Sequence, residues 1–115
     1  MPLLKLKTSV RVPEERRENF VKSLSRITAE VIGKPESYVM VSLDEATMCM
    51  GGEVGPGAFV DVCSIGGLDG GVNKQLSKKV CALLGQELGI PGNRVYLNFT
   101  DVASSSWGWD GGTFG

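Results

Sequence analysis

Pro2 is the residue best equipped for chemistry in this chain, because loss of the initiator methionine would leave its ring nitrogen as a free secondary amine. A free α-amino group titrates near ~8. Burial in an apolar pocket, or a cation close by, disfavours the charged ammonium and lowers that value, so a terminal proline can serve as a neutral base at physiological pH. The same residue also suits the donor-free start of a strand, and Pro2 alone does not separate the two readings. Other residue types narrow the field. The chain has no histidine, which removes every Ser-His and Cys-His nucleophile arrangement. Its three cysteines, Cys49, Cys63 and Cys81, are odd in number and lack C-x-x-C spacing, which argues against a zinc site and a disulfide framework. Acid–base chemistry is left to carboxylates, Lys, Tyr or a terminal amine.

Lys34 falls where a helix should end, and there an ammonium also answers the negative end of the helix dipole. The glycine pairs at 51 and 52, 66 and 67, and 70 and 71 lack Walker or dinucleotide spacing and read as tight turns. Asn98-Phe99-Thr100 matches a glycosylation sequon but lies in a strand-like run, with no processing signal expected ahead of it.

The elements that must position these groups follow from hydropathy. Residues 3–9 suit a strand, and Pro13 opens a helix reaching about Ile32, with Glu14 and Glu15 favourable at the positive end of the dipole. Phe20, Leu24, Ile27 and Val31 recur at helical spacing as one apolar face. Gly33 caps the helix, Pro35 blocks its continuation, and residues 38–43 form the next strand. The second half repeats the pattern, with a strand over 58–64, a turn GGLDGG, and a helix from about Val72 to Leu88. The second helix turns Leu76, Val80, Leu83, Leu84 and Leu88 to one side. The segment 89–97 mirrors 33–41 at a constant offset.

Two tandem βαβ units with right-handed crossovers predict an α+β, two-layer fold, in which one four-stranded mixed sheet carries both helices on a single face. The strands carry apolar residues on both sides of the alternation, as in YVMVSL and VYLNF, so the open sheet face should be buried by oligomerisation. The tail, residues 102–115, with WGWDGGTFG, is a candidate for exchange with a neighbouring subunit.

At 115 residues and 12.3 kDa the chain has room for one domain, 1–115. A net charge of -1, with acidic and basic residues mixed along the helical stretches, provides no basic stripe for nucleic acid. No apolar run approaches the ~20 residues of a membrane span, and MPLLKLKTSV alternates where a signal peptide needs a continuous apolar segment. The expectation is a cytoplasmic protein without a signal peptide, with leaderless secretion left open.

Met1-Pro2, Gly33-Lys34-Pro35 followed by Tyr38, Ser64-Ile65-Gly66, Arg94-Val95-Tyr96 with Asn98, and Gly108-Trp109 leading to Thr113-Phe114 together resemble the macrophage migration inhibitory factor family. That family belongs to the tautomerase superfamily with an N-terminal catalytic proline. The resemblance covers nearly the whole chain and implies a homotrimer whose sheets form a central barrel, with active sites at subunit interfaces. It implies that Pro2 is the general base and that Lys34 holds a substrate carboxylate or carbonyl oxygen. Ile65 would act through its backbone N–H. Asn98 would come from the adjacent subunit to hydrogen-bond the far end of an aromatic substrate, with Tyr96 beside it. Tyr38, Trp109 and Phe114 would complete an apolar pocket.

The implied reaction is keto–enol tautomerisation of a small aromatic 2-keto acid such as phenylpyruvate, with dopachrome-type substrates in the same pocket and neither metal nor organic cofactor. The alternative is a cytokine-like protein-binding role in which the pocket is inherited and a protein receptor is the partner. Two departures stand out. Animal members with thiol–disulfide activity carry C-x-x-C where this chain has Gly57-Ala58-Phe59-Val60, so a redox function is not expected. Trp107 is bulkier than the small aliphatic residue expected beside Gly108-Trp109, which should narrow the pocket mouth.

Overall fold

Strict alternation makes the first strand: Pro2–Thr8 (β1) buries Pro2, Leu4, Leu6 and Thr8 and turns Leu3, Lys5 and Lys7 to the opposite side. In the computed structural model, which describes residues 1–115, β1 leads into a helix, Glu14–Ile32 (α1), with Pro13 at its N-cap. Its buried stripe is Phe20, Leu24, Thr28, Ala29 and Ile32, while Ile27 and Val31 lie half-buried at its edge. The expected face was therefore rotated slightly. Thr28 escapes a hydrophobicity pattern, yet it tolerates full burial because its hydroxyl donates to the Leu24 carbonyl at 2.7 Å. Gly33 ends the helix in the left-handed conformation, φ 76, with its N–H donating to Ala29 O.

The second strand starts later than the hydropathy suggests, at Met40–Glu45 (β2). Tyr38 lies outside it, in a short 3-10 turn over Glu36–Tyr38. The turn consumes the donors a strand would need: Tyr38 N–H donates to Pro35 O at 3.1 Å and Val39 N–H to Glu36 O at 2.9 Å. A small hairpin follows, Cys49–Met50 (β3) and Glu53–Val54 (β4), closed by Gly51 and Gly52 at positive φ. The next long strand is Ala58–Ser64 (β5).

The second helix, Gly70–Leu88 (α2), begins two residues before Val72. Asp69 explains this, because its carboxylate accepts the Val72 N–H at 2.8 Å and so converts the last glycine pair of GGLDGG into helical turn. Leu76, Val80 and Leu84 are fully buried, with Leu83 and Leu88 packed at the margin. Val95–Asp101 (β6) ends the second unit, and a last hairpin, Gly108–Trp109 (β7) with Gly112–Thr113 (β8), closes the chain.

The sheet order is β2-β1-β5-β6. β1 and β2 run parallel, β5 and β6 run parallel, and β1 and β5 meet antiparallel at the seam between the two units. Both helices cover one face, burying Leu24, Leu76, Val80 and Leu84 against Leu4, Leu6, Val60 and Val62. This is the two-layer α+β arrangement the sequence predicts. The open face is less uniformly apolar than expected: Met40, Phe59 and Tyr96 are exposed there, interleaved with Lys5 and Asp61, which approach to 3.9 Å. The tail packs in part on its own chain. Val102 N–H donates to Ser64 O at 2.9 Å, and Trp109 and Phe114 gather against Tyr38.

Leu76 is fully buried at the centre of the α2 face. Leu76→Ala should cost about 2–5 kcal/mol through lost burial and a residual cavity, read by chemical denaturation. A loss under about 1 kcal/mol would mean that α2 contributes little to the core.

Candidate active site

The site is built outward from the first residue of β1. Pro2 is less than 2 % exposed and stands opposite Ser64 in the antiparallel ladder with β5. With Met1 in place, the terminal amine lies next to this ring. Its pKa is lowered from the ordinary value, first by burial and second by the positive charge of Lys34. Both effects favour a neutral amine.

Lys34 follows the α1 cap directly and is half-buried. No carboxylate forms an ion pair with it. Its stem runs along the glycine doublet after β5. A Cβ on Gly67 would lie 3.2 Å from Lys34 Cε and 2.8 Å from Ile32 Cγ2, and Gly67 holds φ +78. Glycine is therefore required there by both space and backbone angle. The ammonium nitrogen reaches within 4.0 Å of a Cβ position on Gly66.

Ile65 opens this turn, half-buried, and its N–H finds no acceptor among the hydrogen bonds of the chain. The following donor is taken: Gly66 N–H donates to Asp101 Oδ1 at 2.9 Å. Within the turn the Gly66 N–H is therefore taken, whereas the Ile65 and Gly67 N–H groups beside Lys34 are not.

Aromatic rings form the opposite wall. Trp109 and Phe114 stack with centroids 5.5 Å apart, and Tyr38 meets them edge-on at 6.0 and 6.3 Å. A cavity of about 370 Å³ opens between this wall and the start of β1, lined by Met1, Pro2, Tyr38, Trp107, Trp109 and Phe114 among others. Leu3, Val39 and Met40 also line it, and sequence reasoning missed them. The register pairing of Leu3 with Met40 brings them together, and no sequence signal predicts that pairing. A larger hollow, about 490 Å³, lies at the far end of β1 between Ser9, Glu45 and Pro56, away from every candidate group.

Tyr96 and Asn98 do not join this site within the chain. Both are exposed on β6, which β5 separates from β1, and Tyr96 borders a different hollow with Met48, Phe59 and Arg94. Pro2, Lys34, Ile65, Tyr38, Trp109 and Phe114 share one end of the fold. An amine with a lowered pKa at the edge of an aromatic-walled cavity, with an ammonium and the Ile65 N–H at the same end of the fold, has the parts to remove a carbon-bound proton and hold the resulting oxyanion.

Comparison with known proteins bears on the chain as a whole. The family profile described as Macrophage migration inhibitory factor (MIF) matches residues 1–115. The macrophage migration inhibitory factor homolog of Trichuris trichiura is 40% identical over 99% of this chain and 100% of its own length. The homologue from Prochlorococcus marinus superposes with a TM-score of 0.93 at 41% identity, covering 98% of this chain and 99% of that one. The macrophage migration inhibitory factor-like protein of Entamoeba histolytica has a TM-score of 0.93 at 37% identity, covering 98% of each chain.

Since the Lys34 charge lowers the pKa of the terminal amine, Lys34→Gln should raise it in the chain that retains Met1. NMR titration of that amine is the measurement, and an unchanged value would remove Lys34 as a cause.

Proposed function

The chain belongs to the macrophage migration inhibitory factor family, and from that premise we propose that residues 1–115 act as one cofactor-independent keto–enol tautomerase unit for phenylpyruvate-like 2-keto acids, with dopachrome-type compounds as a second substrate type. Family membership supports a tautomerase-like or cytokine-like role. The observation that favours catalysis is the environment of this chain end: the Met1 amine, next to the Pro2 ring at the edge of an aromatic-walled cavity, is held below its ordinary pKa by burial and by Lys34.

In the proposed reaction Met1 is removed and Pro2 carries the terminal amine. The substrate carboxylate pairs with Lys34, and its ring lies against Tyr38, Trp109 and Phe114. The neutral Pro2 nitrogen takes the proton from the carbon next to the carbonyl. Negative charge moves to the carbonyl oxygen, where the Ile65 N–H and Lys34 offer hydrogen bonds. The Pro2 ammonium then returns its proton to that oxygen, giving the enol and regenerating the base. The step runs equally in reverse, and every proton is accounted for by one amine.

Tyr96 and Asn98 enter this scheme from a neighbouring subunit of a homotrimer, where Asn98 would hydrogen-bond the far end of the substrate. Their exposure on the uncovered sheet face and their absence from their own chain's cavity support that role.

The test is phenylpyruvate tautomerisation by the chain lacking Met1, by Pro2→Gly, and by a form with one extra residue before Pro2. The extended form should lose activity about 100-fold or more, the scale of a lost general base, and Pro2→Gly, which replaces the ring amine by a flexible primary amine, should also lose activity, with assembly unchanged in both. Full activity in the extended form, where the proline nitrogen is a non-basic amide, would refute the mechanism. The pH profile supplies a second readout. Because the neutral amine is the active form, activity should rise with pH and level off above the amine pKa, and Lys34→Gln should move that rise to higher pH.

A further inference from the structure

We propose that Asp101 is a positioning residue for this site: through Gly66 it holds the turn that presents the Ile65 N–H and seats Lys34. The inference rests on the tautomerase reading above. It starts from the ladder. Pro2 pairs with Ser64 across β1 and β5, and Ser64 pairs with Asp101 across β5 and β6. The three residues form one row across the sheet at its chemical end. Asp101 continues the helix-facing alternation of Val95, Leu97 and Phe99, so its carboxylate is on the same side as Pro2 and Ser64.

The Gly66 residue is held at both of its polar groups. Its N–H donates to Asp101 Oδ1 at 2.9 Å, and its carbonyl accepts the Ser64 hydroxyl at 2.7 Å. Ser64 is fully buried, so water does not compete for that hydroxyl. The carboxylate makes the first bond charge-assisted and the stronger of the two. Two glycines in the left-handed region, Gly66 at φ +70 and Gly67 at φ +78, would otherwise leave this segment with wide conformational freedom. The brace removes it.

Two functional consequences follow from the same bond. First, Asp101 occupies the Gly66 donor, so that an oxyanion at this turn would be met by the Ile65 N–H and not by that of Gly66. Second, the braced turn is the surface along which the Lys34 stem lies, with Gly67 packed against both Lys34 and Ile32. Freeing the turn would misplace an oxyanion donor and the ammonium together. Ser64 is a core residue whose replacement risks the fold, whereas Asp101 is exposed at the strand end.

The experiment compares Asp101→Ala and Asp101→Asn with the parent chain lacking Met1, using Pro2→Gly as the control. Asparagine keeps an oxygen that accepts the Gly66 N–H but lacks the charge. Asp101→Ala should lower kcat about tenfold with a smaller change in KM, since the Ile65 bond strengthens as charge develops in the transition state. Asp101→Asn should recover to within about threefold of the parent. Hydrogen exchange at Gly66 should speed up in Asp101→Ala and stay slow in Asp101→Asn, a change that separates loss of the brace from loss of the fold. Equal loss of activity in both variants would overturn the inference by making charge the relevant property. Full activity in Asp101→Ala, with Pro2→Gly inactive, would overturn it while leaving the tautomerase reading intact. If Pro2→Gly kept its activity, the tautomerase mechanism would fall, and unchanged Gly66 exchange in Asp101→Ala would overturn the brace as well.

Discussion

A proline can begin a central strand only at its first residue, where the ladder requires no N–H from it. β1 is such a strand, flanked by β2 and β5. That constraint locates the N-terminus of the chain at the seam between the two βαβ units, with the Pro2 ring buried under the helices and the terminal amine at the cavity edge. The rest of the site depends on it. The amine is desolvated because β1 is central, and it is close to Lys34 because α1 returns to the same end of the sheet.

The internal duplication places different residues at equivalent positions of the two units. Gly33-Lys34-Pro35 and Gly89-Ile90-Pro91 are equivalent helix exits, with Gly33 and Gly89 both left-handed. At the first exit the middle residue is a half-buried ammonium, and at the second it is a core residue, Ile90, 1% exposed. Tyr38 and Arg94 are equivalent as well. Tyr38 forms the edge of the aromatic wall, whereas Arg94 ties down the β3–β4 hairpin through Pro56 O and Glu53 O. Pro2 and Ala58 begin equivalent strands, but only Pro2 lies at a chain end. Two similar units thus differ at this end, because the chain terminus adjoins only the first of them.

Much of the fold was legible from local patterns. The two long helices, the four long strands and the mixed sheet follow from periodicities of 3.6 and 2 with capping glycines and prolines at the breaks. Errors fell where a side chain or a short turn overrode periodicity: Tyr38 in a 3-10 turn, Asp69 drawing two glycines into α2, and Thr28 buried by bonding its own helix. The β3–β4 and β7–β8 hairpins are too short to leave a periodic signal.

The sequence by itself determined which groups could do chemistry: a proline behind Met1, a lysine beyond a helix cap, no histidine, and aromatic residues in a glycine-rich tail. Side-chain identity sets intrinsic basicity, charge and hydrogen-bonding capacity, and none of these requires a fold. Only the tertiary structure decided what those groups are to one another. Burial lowers the pKa of the Met1 amine, crossover geometry brings Lys34 to the same end of the sheet, and Asp101 bonds the Gly66 N–H in the turn that follows Ile65. It also kept Tyr96 and Asn98 apart from Pro2, on the other side of β5. Proximity and desolvation are properties of arrangement in space, and residues distant in sequence acquire them only when the strands pair.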